Sequence, residues 1–322
     1  MRVLKKPADL TSEDFVGLDE DTQRLFSYLH IDIQKQALPH LAGLEDIFLQ
    51  VGSALGLKVG PKHVECDEVT VTQQHVNYLS FRLQHGIRHD GRAGISQTFH
   101  RLAFERDLSD TYNMVTIRVG RYVERAAEPI RDVLINKSDS LMLIGRPGVG
   151  KSTVLRGAIP ILYERYGFGL CVVDTSGDVT GDGKIMHPQF SNKLFKRFQV
   201  PDPRLQHEVL HRMTINHTPL VCVVDEISKL NEVEAVNEAR NKGVRLVSTV
   251  HGDNLSDVFR RPVNRALLGD LDIQAGLRRN EPVFESAIEI RNRGEFWFHP
   301  DLARSIDNIL VGKAPVVEEI KA

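Results

Sequence analysis

The pattern of apolar and polar positions changes near residue 140. Beyond that point, helix-like stretches separate four uninterrupted apolar runs, which are Leu141–Ile144, Leu170–Val173, Leu220–Val224 and Val244–Val247. Runs without alternation are typical of strands buried on both faces, so they predict a parallel sheet covered by helices. We expect helices over 204–217 and 229–241, and a terminal hairpin in which Asn292–Gly294 joins Phe284–Ile290 to Glu295–Phe298.

The first part of the chain has a mixed pattern. A helix-like stripe of apolar residues runs through 21–38, and Leu44–Leu49 has the character of a short strand. Thr70 and Gln73 have the spacing of a capping box that opens a helix ending at Leu83. Two alternating runs, 100–104 and 115–119, predict a hairpin. Together these elements predict a small α+β domain.

Five segments follow from these patterns. We expect a flexible N-terminus over 1–20, an α+β domain over 21–125, a linker over 126–139, an α/β domain over 140–312 and a tail over 313–322. The division into two domains agrees with a length of 322 residues.

The composition excludes several classes of protein. A formal net charge of −2 gives no overall signal for nucleic acid. No apolar run has the length of a signal peptide or of a membrane span, so we expect a cytoplasmic protein without a transmembrane segment. Cys66, Cys171 and Cys222 are far apart, which favours buried free thiols over a zinc site.

A complete phosphate-binding motif follows the first apolar run. Residues 145–152 read Gly-Arg-Pro-Gly-Val-Gly-Lys-Ser, and backbone N–H groups of such a loop wrap phosphate oxygens. We assign nucleotide binding to Gly145, Arg146, Pro147, Gly148, Val149, Gly150, Lys151, Ser152 and Thr153. The motif predicts an enzyme that binds ATP with Mg²⁺ and hydrolyses it, with the Ser152 hydroxyl as a metal ligand.

Acidic residues follow the next two apolar runs. After the third run, Asp225 is predicted to hold Mg²⁺ and Glu226 to polarise the attacking water. Two acids there are also common at a helix N-terminus. After the second run, Asp174 and Asp178 would lie at the same sheet edge and reach the metal or the water; the alternative is solvated turn acids. His251, after the fourth run, is a candidate γ-phosphate sensor, and a capping role is the alternative.

Two further motifs suggest metals. His207-Glu208-Val-Leu-His211 has the spacing of a zinc protease, but the motif is short and no third ligand is evident, so we interpret these as ordinary helix histidines. Asp178 to Gly183 begins like a calcium loop. Gln189 stands where that loop needs a bidentate glutamate, which argues against calcium.

Several stretches resemble the hypothetical chloroplast reading frame forty-five family, whose members are cyanobacterial, plastid and plant ATPases similar to stage III sporulation protein AA. These stretches are LMLIGRPGVGKSTVLR, CVVDTSGDVTGDGKIMHPQF, VPDPRLQH and VSTVHGDN, with FHRLAFERD, TIRVGR and HPDLARSIDNILVG around them. The resemblance implies a plastid stromal location if the organism is photosynthetic. Many relatives also carry a C-terminal module that binds single-stranded nucleic acid, whose signature this chain lacks.

That family is in turn similar to the ring ATPases of secretion and pilus retraction. This similarity implies a PAS-like N-terminal domain, a RecA-like ATPase domain and a hexameric homo-oligomer. It places Asp174 and Asp178 in the segment called the Asp box, and His251 in the His box. In the secretion ATPases the Asp box ends with a glutamate, at the position where this chain has Asp178.

We therefore expect a ring motor that acts on a protein or membrane assembly. The alternatives are a nucleic-acid-dependent ATPase and a slow nucleotide-gated scaffold. Arginines that could act on a neighbour's nucleotide are Arg101, Arg106, Arg118, Arg121, Arg260, Arg261, Arg278 and Arg279, of which Arg118 and Arg121 are favoured.

Overall fold

A computed structural model describes residues 19–83, 86–137 and 139–321. The chain divides into two compact units. Among the described residues, the first contains those up to Arg121 together with Gly181–Pro188, and the second contains Tyr122–Thr180 and those from Gln189 onward. Residues 181–188, which come shortly after the second buried strand, therefore belong to the first unit, which the pattern of apolar residues did not predict.

The first unit is an α+β structure around an antiparallel sheet. Its elements are α1 (Glu20–Tyr28), α2 (Ile31–Ala37), β1 (Leu44–Gln50), β2 (Ala54–Val59), β3 (Lys62–Thr70), α3 (Gln73–Leu83), β4 (Arg92–Gly94), β5 (Arg101–Arg106) and β6 (Tyr112–Arg118). The strand order is β3-β2-β1-β6-β5-β4, and β5 and β6 form the expected hairpin. Alternate residues such as Ile47, Leu49 and Ile117 are fully buried and form its core.

The helical expectations in this unit hold in part. The stripe over 21–38 is helical, as expected, but it forms two helices, because His30 is extended and its imidazole accepts from the Asp32 N–H to start α2. The helix that ends at Leu83 is present, but the capping box at Thr70 is wrong, since α3 begins at Gln73. The Gln73 side chain donates to Tyr112 O at 2.8 Å, and the imidazole of His75 accepts from the Thr72 N–H.

The second unit is an α/β structure around an eight-stranded sheet. Its elements are α4 (Arg131–Asn136), β7 (Leu141–Gly145), α5 (Lys151–Tyr166), β8 (Leu170–Asp174), β9 (Lys196–Gln199), α6 (Gln206–Asn216), β10 (Val221–Glu226), α7 (Leu230–Asn241), β11 (Arg245–His251), α8 (Leu255–Val258), α9 (Pro262–Leu267), β12 (Leu271–Asp272), β13 (Leu277–Arg278), β14 (Ser286–Asn292), β15 (Glu295–His299), α10 (Leu302–Leu310) and β16 (Glu318–Lys321). The expected linker and tail thus contain α4 and β16.

The eight strands follow the order β16-β15-β14-β7-β11-β10-β8-β9, and those from β14 to β9 are parallel. The four apolar runs form β7, β8, β10 and β11, as predicted, and the terminal hairpin is β14–β15. Cys171 and Cys222 lie opposite each other on β8 and β10, and with Cys66 they are buried free thiols, as expected. Parallel strands present their carboxyl ends at one edge, where the candidate site lies.

Candidate functional site

The phosphate-binding motif lies between a buried strand and a helix. All five residues of β7 are buried, and α5 begins at Lys151 directly after the loop. The loop turns through Gly148 (φ +78°) and Gly150 (φ +110°), a backbone region that side chains disfavour. Ser152 and Thr153 occupy the first turn of α5 and are partly exposed. The N-terminus of a helix after such a loop is a general binding site for anions.

Lys151 is held inside this loop. Its ammonium donates to Gly145 O at 2.7 Å and Arg146 O at 3.1 Å, and lies 2.9 Å from His251 Nδ1. These three neutral acceptors match the three hydrogens that an ammonium carries. Burial lowers the pKa of Lys151 to about 8, although the charges of Glu226 and Asp225 oppose that shift. The lysine is therefore a cation in a site that disfavours its charge, which suits an anionic ligand.

His251 connects this lysine to the acidic end of β10. Because an ammonium only donates, His251 Nδ1 accepts and the ring hydrogen lies on Nε2. Nε2 lies 3.1 Å from Glu226 Oε2 and donates to it. Burial opposes ionisation of Glu226, but the hydrogen bond from His251 and the surrounding positive charge, which includes Lys151 and Arg261, outweigh it and lower the pKa. A chain from Lys151 through His251 to Glu226 results.

Asp225 belongs to a cluster of carboxylates. Ser176 Oγ lies 2.9 Å from Asp225 Oδ2 and also contacts Asp178 Oδ1. Burial raises the pKa of Asp225 well above its usual range, and the neighbouring charges of Asp178 and Asp174 add to this. A serine has one hydroxyl hydrogen, so it satisfies only one of the two carboxylates. This arrangement of negative charge is stabilised by a cation.

Asp174 has a different environment from Asp178. Its carboxylate accepts from Gly177 N, Thr180 N and Thr180 Oγ1 at 2.7–2.8 Å, so it holds the turn after β8. Burial and the charge of Asp178 raise the pKa of Asp174. Of the two Asp-box acids, Asp178 is the one linked to Asp225 through Ser176.

The ends of the strands are positioned by residues that sequence reasoning missed. Gln206, the first residue of α6, donates from Nε2 to Glu226 O at 2.7 Å and accepts from Thr175 Oγ1. Thr249 Oγ1 donates to Asp225 O. Arg156 on α5 donates from Nε to Asp178 O at 2.6 Å, which ties the Asp box to the helix of the loop. No motif marks these residues, because each acts through a partner distant in sequence.

Side chains of the two metal-like motifs contact other residues of the protein. His207 Nδ1 lies 2.9 Å from Asn231 Nδ2, and His211 Nδ1 lies 2.6 Å from Glu238 Oε2, so both histidines pair with α7. In the calcium-like segment, Thr180 bonds to Asp174, and Asp182 lies 3.4 Å from Arg88. Each of these side chains thus has a partner within its own unit.

One other group of side chains has the composition of a metal site. Within the described ranges, the ligand atoms of His30, Asp32 and His75 lie within 4.8 Å of one another. The Thr72 N–H donates to His75 Nδ1 at 3.1 Å, so the neutral ring carries its hydrogen on Nε2, the atom that faces Asp32. A protonated nitrogen is not a metal ligand, and this group is better explained as capping the starts of α2 and α3.

The candidate arginines have different partners. In the first unit, Arg121 donates to Leu41 O at 2.6 Å and Arg118 lies 3.6 Å from Asp46. In the second, Arg278 pairs with Asp307 and Arg279 with Asp272. The exposed Arg261 affects the site through its charge, which helps to lower the pKa of Glu226.

Comparison with known proteins identifies the family. A family model described as sporulation stage III, protein AA matches residues 108–278. The chain belongs to this family. It is 30% identical over 291 residues to the uncharacterized protein ycf45 of Cyanidium caldarium, covering 85% of each chain. With the protein of the same name from Porphyra purpurea it shares 35% identity over 71% of this chain, but it spans only 43% of that relative's length.

A solved structure has the same fold. The pilus retraction motor PilT with bound ADP aligns with a TM-score of 0.53 at 16% identity, over 80% of this chain and 76% of that one. This likeness shows that the mixed α/β fold is similar to that of the pilus retraction motor. Within the described residues, no helix is both long and apolar enough to cross a membrane.

Proposed function

We propose that this protein is a Mg²⁺-dependent ATPase of the secretion-ATPase class. The observation that carries the proposal is the chain from Lys151 through His251 to Glu226, which joins the phosphate-binding loop to an ionised carboxylate. A general base needs a low enough pKa to be ionised and enough exposure to meet water, and Glu226 has both. Membership of the family and the PilT-like fold support nucleotide hydrolysis.

Each residue has a role in this proposal. Backbone N–H groups of 145–153 bind the phosphates, with Lys151 as the point charge on the β- and γ-phosphates. Glu226 orients the attacking water and accepts its proton, while His251 positions Glu226 and responds to the γ-phosphate. Asp178 contributes negative charge beside Asp225, and its shorter side chain makes it a weaker candidate for the base.

The donor set fits magnesium. Mg²⁺ prefers carboxylate and hydroxyl oxygens, usually with one or two carboxylates beside phosphate oxygens. Asp225 and Ser152 would hold the ion, and the pKa of Asp225, raised by burial among other acids, indicates a carboxylate that gains stability when a cation is near. When bound, the metal neutralises charge on the phosphates.

We extend the proposal to a homo-oligomeric ring that drives domain motion in a protein or membrane assembly. The support is the shared fold with a protein described as a pilus retraction motor. The first unit, an antiparallel sheet with helices, would be the PAS-like domain of such a ring. The net charge of −2 gives a nucleic-acid client no comparable support.

Replacing Lys151 with alanine tests the site. Loss of a charge-assisted contact should weaken ATP binding by about 10- to 100-fold, because such contacts contribute about 1.5–3 kcal/mol. Binding is measured by calorimetry and turnover by phosphate release, with the exposed Lys242→Ala, directly after α7, as the matched control. A folded Lys151→Ala protein with wild-type affinity and turnover would contradict the proposal. Sedimentation of the same wild-type samples with and without ATP tests ring assembly.

A further inference from the structure

A second acidic residue lies near the candidate site but is buried. Glu289 is on β14, next to β7 in the sheet, and its side chain is 4% exposed. Its Oε1 accepts from Leu255 N at 2.7 Å and from His299 Nε2 at 3.2 Å, and its Oε2 lies 3.1 Å from Arg291 Nη1. Burial opposes ionisation, but these donors outweigh it and lower the pKa of Glu289. It is therefore a buried carboxylate with both oxygens occupied.

The partner of Glu289 is also enclosed by the protein. His299 is fully buried, and its Nδ1 lies 3.1 Å from Ser305 Oγ. An ionised carboxylate only accepts, so His299 Nε2 carries the hydrogen that Glu289 Oε1 receives. Both ring nitrogens of His299 therefore have partners, and the ring links Glu289 to Ser305.

This network holds the loop that follows His251. Residues 252–254 connect His251 to α8, and Glu289 fixes the N–H of Leu255 at the start of that helix. Arg291 donates to Asp253 O at 3.3 Å, so the loop is held at a second point. At the other end, Ser305 bonds to both the N–H and the C=O of Val316. The segment after α10 is thereby connected to the loop behind His251.

We infer that Glu289 is a positioning residue for the proposed ATP hydrolysis. With His299 it fixes the loop 252–255, and this loop sets the direction in which the imidazole of His251 faces Lys151 and Glu226. Ser305 makes the segment around Val316 part of the same support. The inference rests on the proposed function, and it adds residues that touch neither nucleotide nor metal.

Kinetics of Glu289→Ala test this inference. The turnover number should fall on the order of 10- to 100-fold, as expected when a reacting group is displaced by about an ångström. The dissociation constant for ATP should change less than about threefold, since the phosphate-binding loop is intact. Glu289→Gln keeps an oxygen that accepts from Leu255 N–H and should recover most of the lost turnover. Glu295→Gln, on the neighbouring strand, is the control and should match wild type.

The unfolding midpoint of every variant is measured first, because removing one partner leaves buried hydrogen-bonding groups without a partner. If Glu289→Ala does not fold, Ser305→Ala carries the test and should lower turnover about two- to fivefold with unchanged ATP affinity. Folded variants with a wild-type turnover number would overturn the inference. Folded variants that lose ATP affinity by the same factor as they lose turnover would also overturn it.

A readout independent of activity separates the two proposals. The ¹⁵N chemical shifts of the His251 ring are assigned with a His251→Gln variant. They should change in Glu289→Ala and stay at the wild-type values in Glu295→Gln. If wild type hydrolyses no ATP, the proposed function fails while the ring shifts still decide whether Glu289 positions His251. Unchanged shifts in an otherwise folded Glu289→Ala protein would count against positioning.

Discussion

Two histidine–glutamate pairs in the second unit have nearly the same separation between the ring nitrogen and the carboxylate oxygen, but their surroundings differ. His251 and Glu226 are 3.1 Å apart, with side chains 31% and 36% exposed. His299 and Glu289 are 3.2 Å apart, with side chains 0% and 4% exposed. Separation alone therefore does not distinguish the two pairs; burial and the remaining hydrogen bonds do.

The difference determines what each pair can do. In the buried pair, both ring nitrogens and both carboxylate oxygens have partners, and removing one partner of such a pair typically costs about 3–5 kcal/mol of folding stability. Exposed pairs contribute about 0–1 kcal/mol. The buried pair is suited to hold a loop, whereas the exposed pair is accessible to water and can change partners during a reaction.

The largest effect should come from Glu226→Gln. The amide keeps the shape but cannot accept a proton, so turnover should fall about 10²- to 10⁴-fold, the usual contribution of a general base. The ATP dissociation constant and the unfolding midpoint should be close to wild type, because an exposed pair contributes little to stability. Single-turnover kinetics, binding and denaturant titrations measure the three quantities, with the exposed Glu234→Gln on α7 as the control.

Two outcomes of that experiment would break the comparison. Wild-type turnover in Glu226→Gln would move the catalytic role elsewhere, with Asp178 as the next residue to test. A loss of several kcal/mol in the free energy of unfolding would show that the exposed pair is structural, like the buried one.

A smaller effect is expected from the protonation of Lys151. Its pKa, lowered by burial to about 8, predicts that the charged form dominates below pH 8 and is lost above it. Because anions bind the charged form, ATP affinity should be about tenfold weaker at pH 9 than at pH 7. Lys151→Arg, which stays charged over this range, is the control protein. Because the titration of ATP itself affects both proteins equally, the difference between their affinity curves reports on Lys151 alone. Parallel affinity curves for the two proteins would show that burial does not control this lysine.

The sequence predicted what depends on local patterns. The four buried runs, the terminal hairpin and the phosphate-binding loop can be recognised from adjacent residues, and the acids that follow the second and third runs mark the sheet edge. Strands β2 and β3 were not predicted: most of β3 is exposed at the edge of the sheet, so its residues show no apolar alternation. The stripe over 21–38 predicted helical character, but it could not show the break at His30.

The supporting residues of the site were beyond sequence reasoning for a different reason. Ser176, Gln206 and Glu289 act through partners about 20 to 50 positions away, and their types are common on any surface. Only the packing of the strands brings Glu289 to the loop behind His251. Its burial on β14 next to β7 is a property of strand order, which the apolar pattern does not specify.

The smallest effect should come from Arg261→Ala. Arg261 is exposed, and its charge is one of several that lower the pKa of Glu226. Removing that charge should raise the pKa of Glu226, so the acidic limb of the turnover profile should move to higher pH by a few tenths of a unit. Interactions of exposed charges are screened by salt, so the shift should diminish between about 0.05 and 0.5 M salt. Arg260→Ala, which removes a charge paired with Asp257, is the matched control. If turnover instead falls at every pH and recovers when Arg261→Ala is mixed with Lys151→Ala subunits, Arg261 acts on the nucleotide of a neighbouring subunit rather than on its own Glu226.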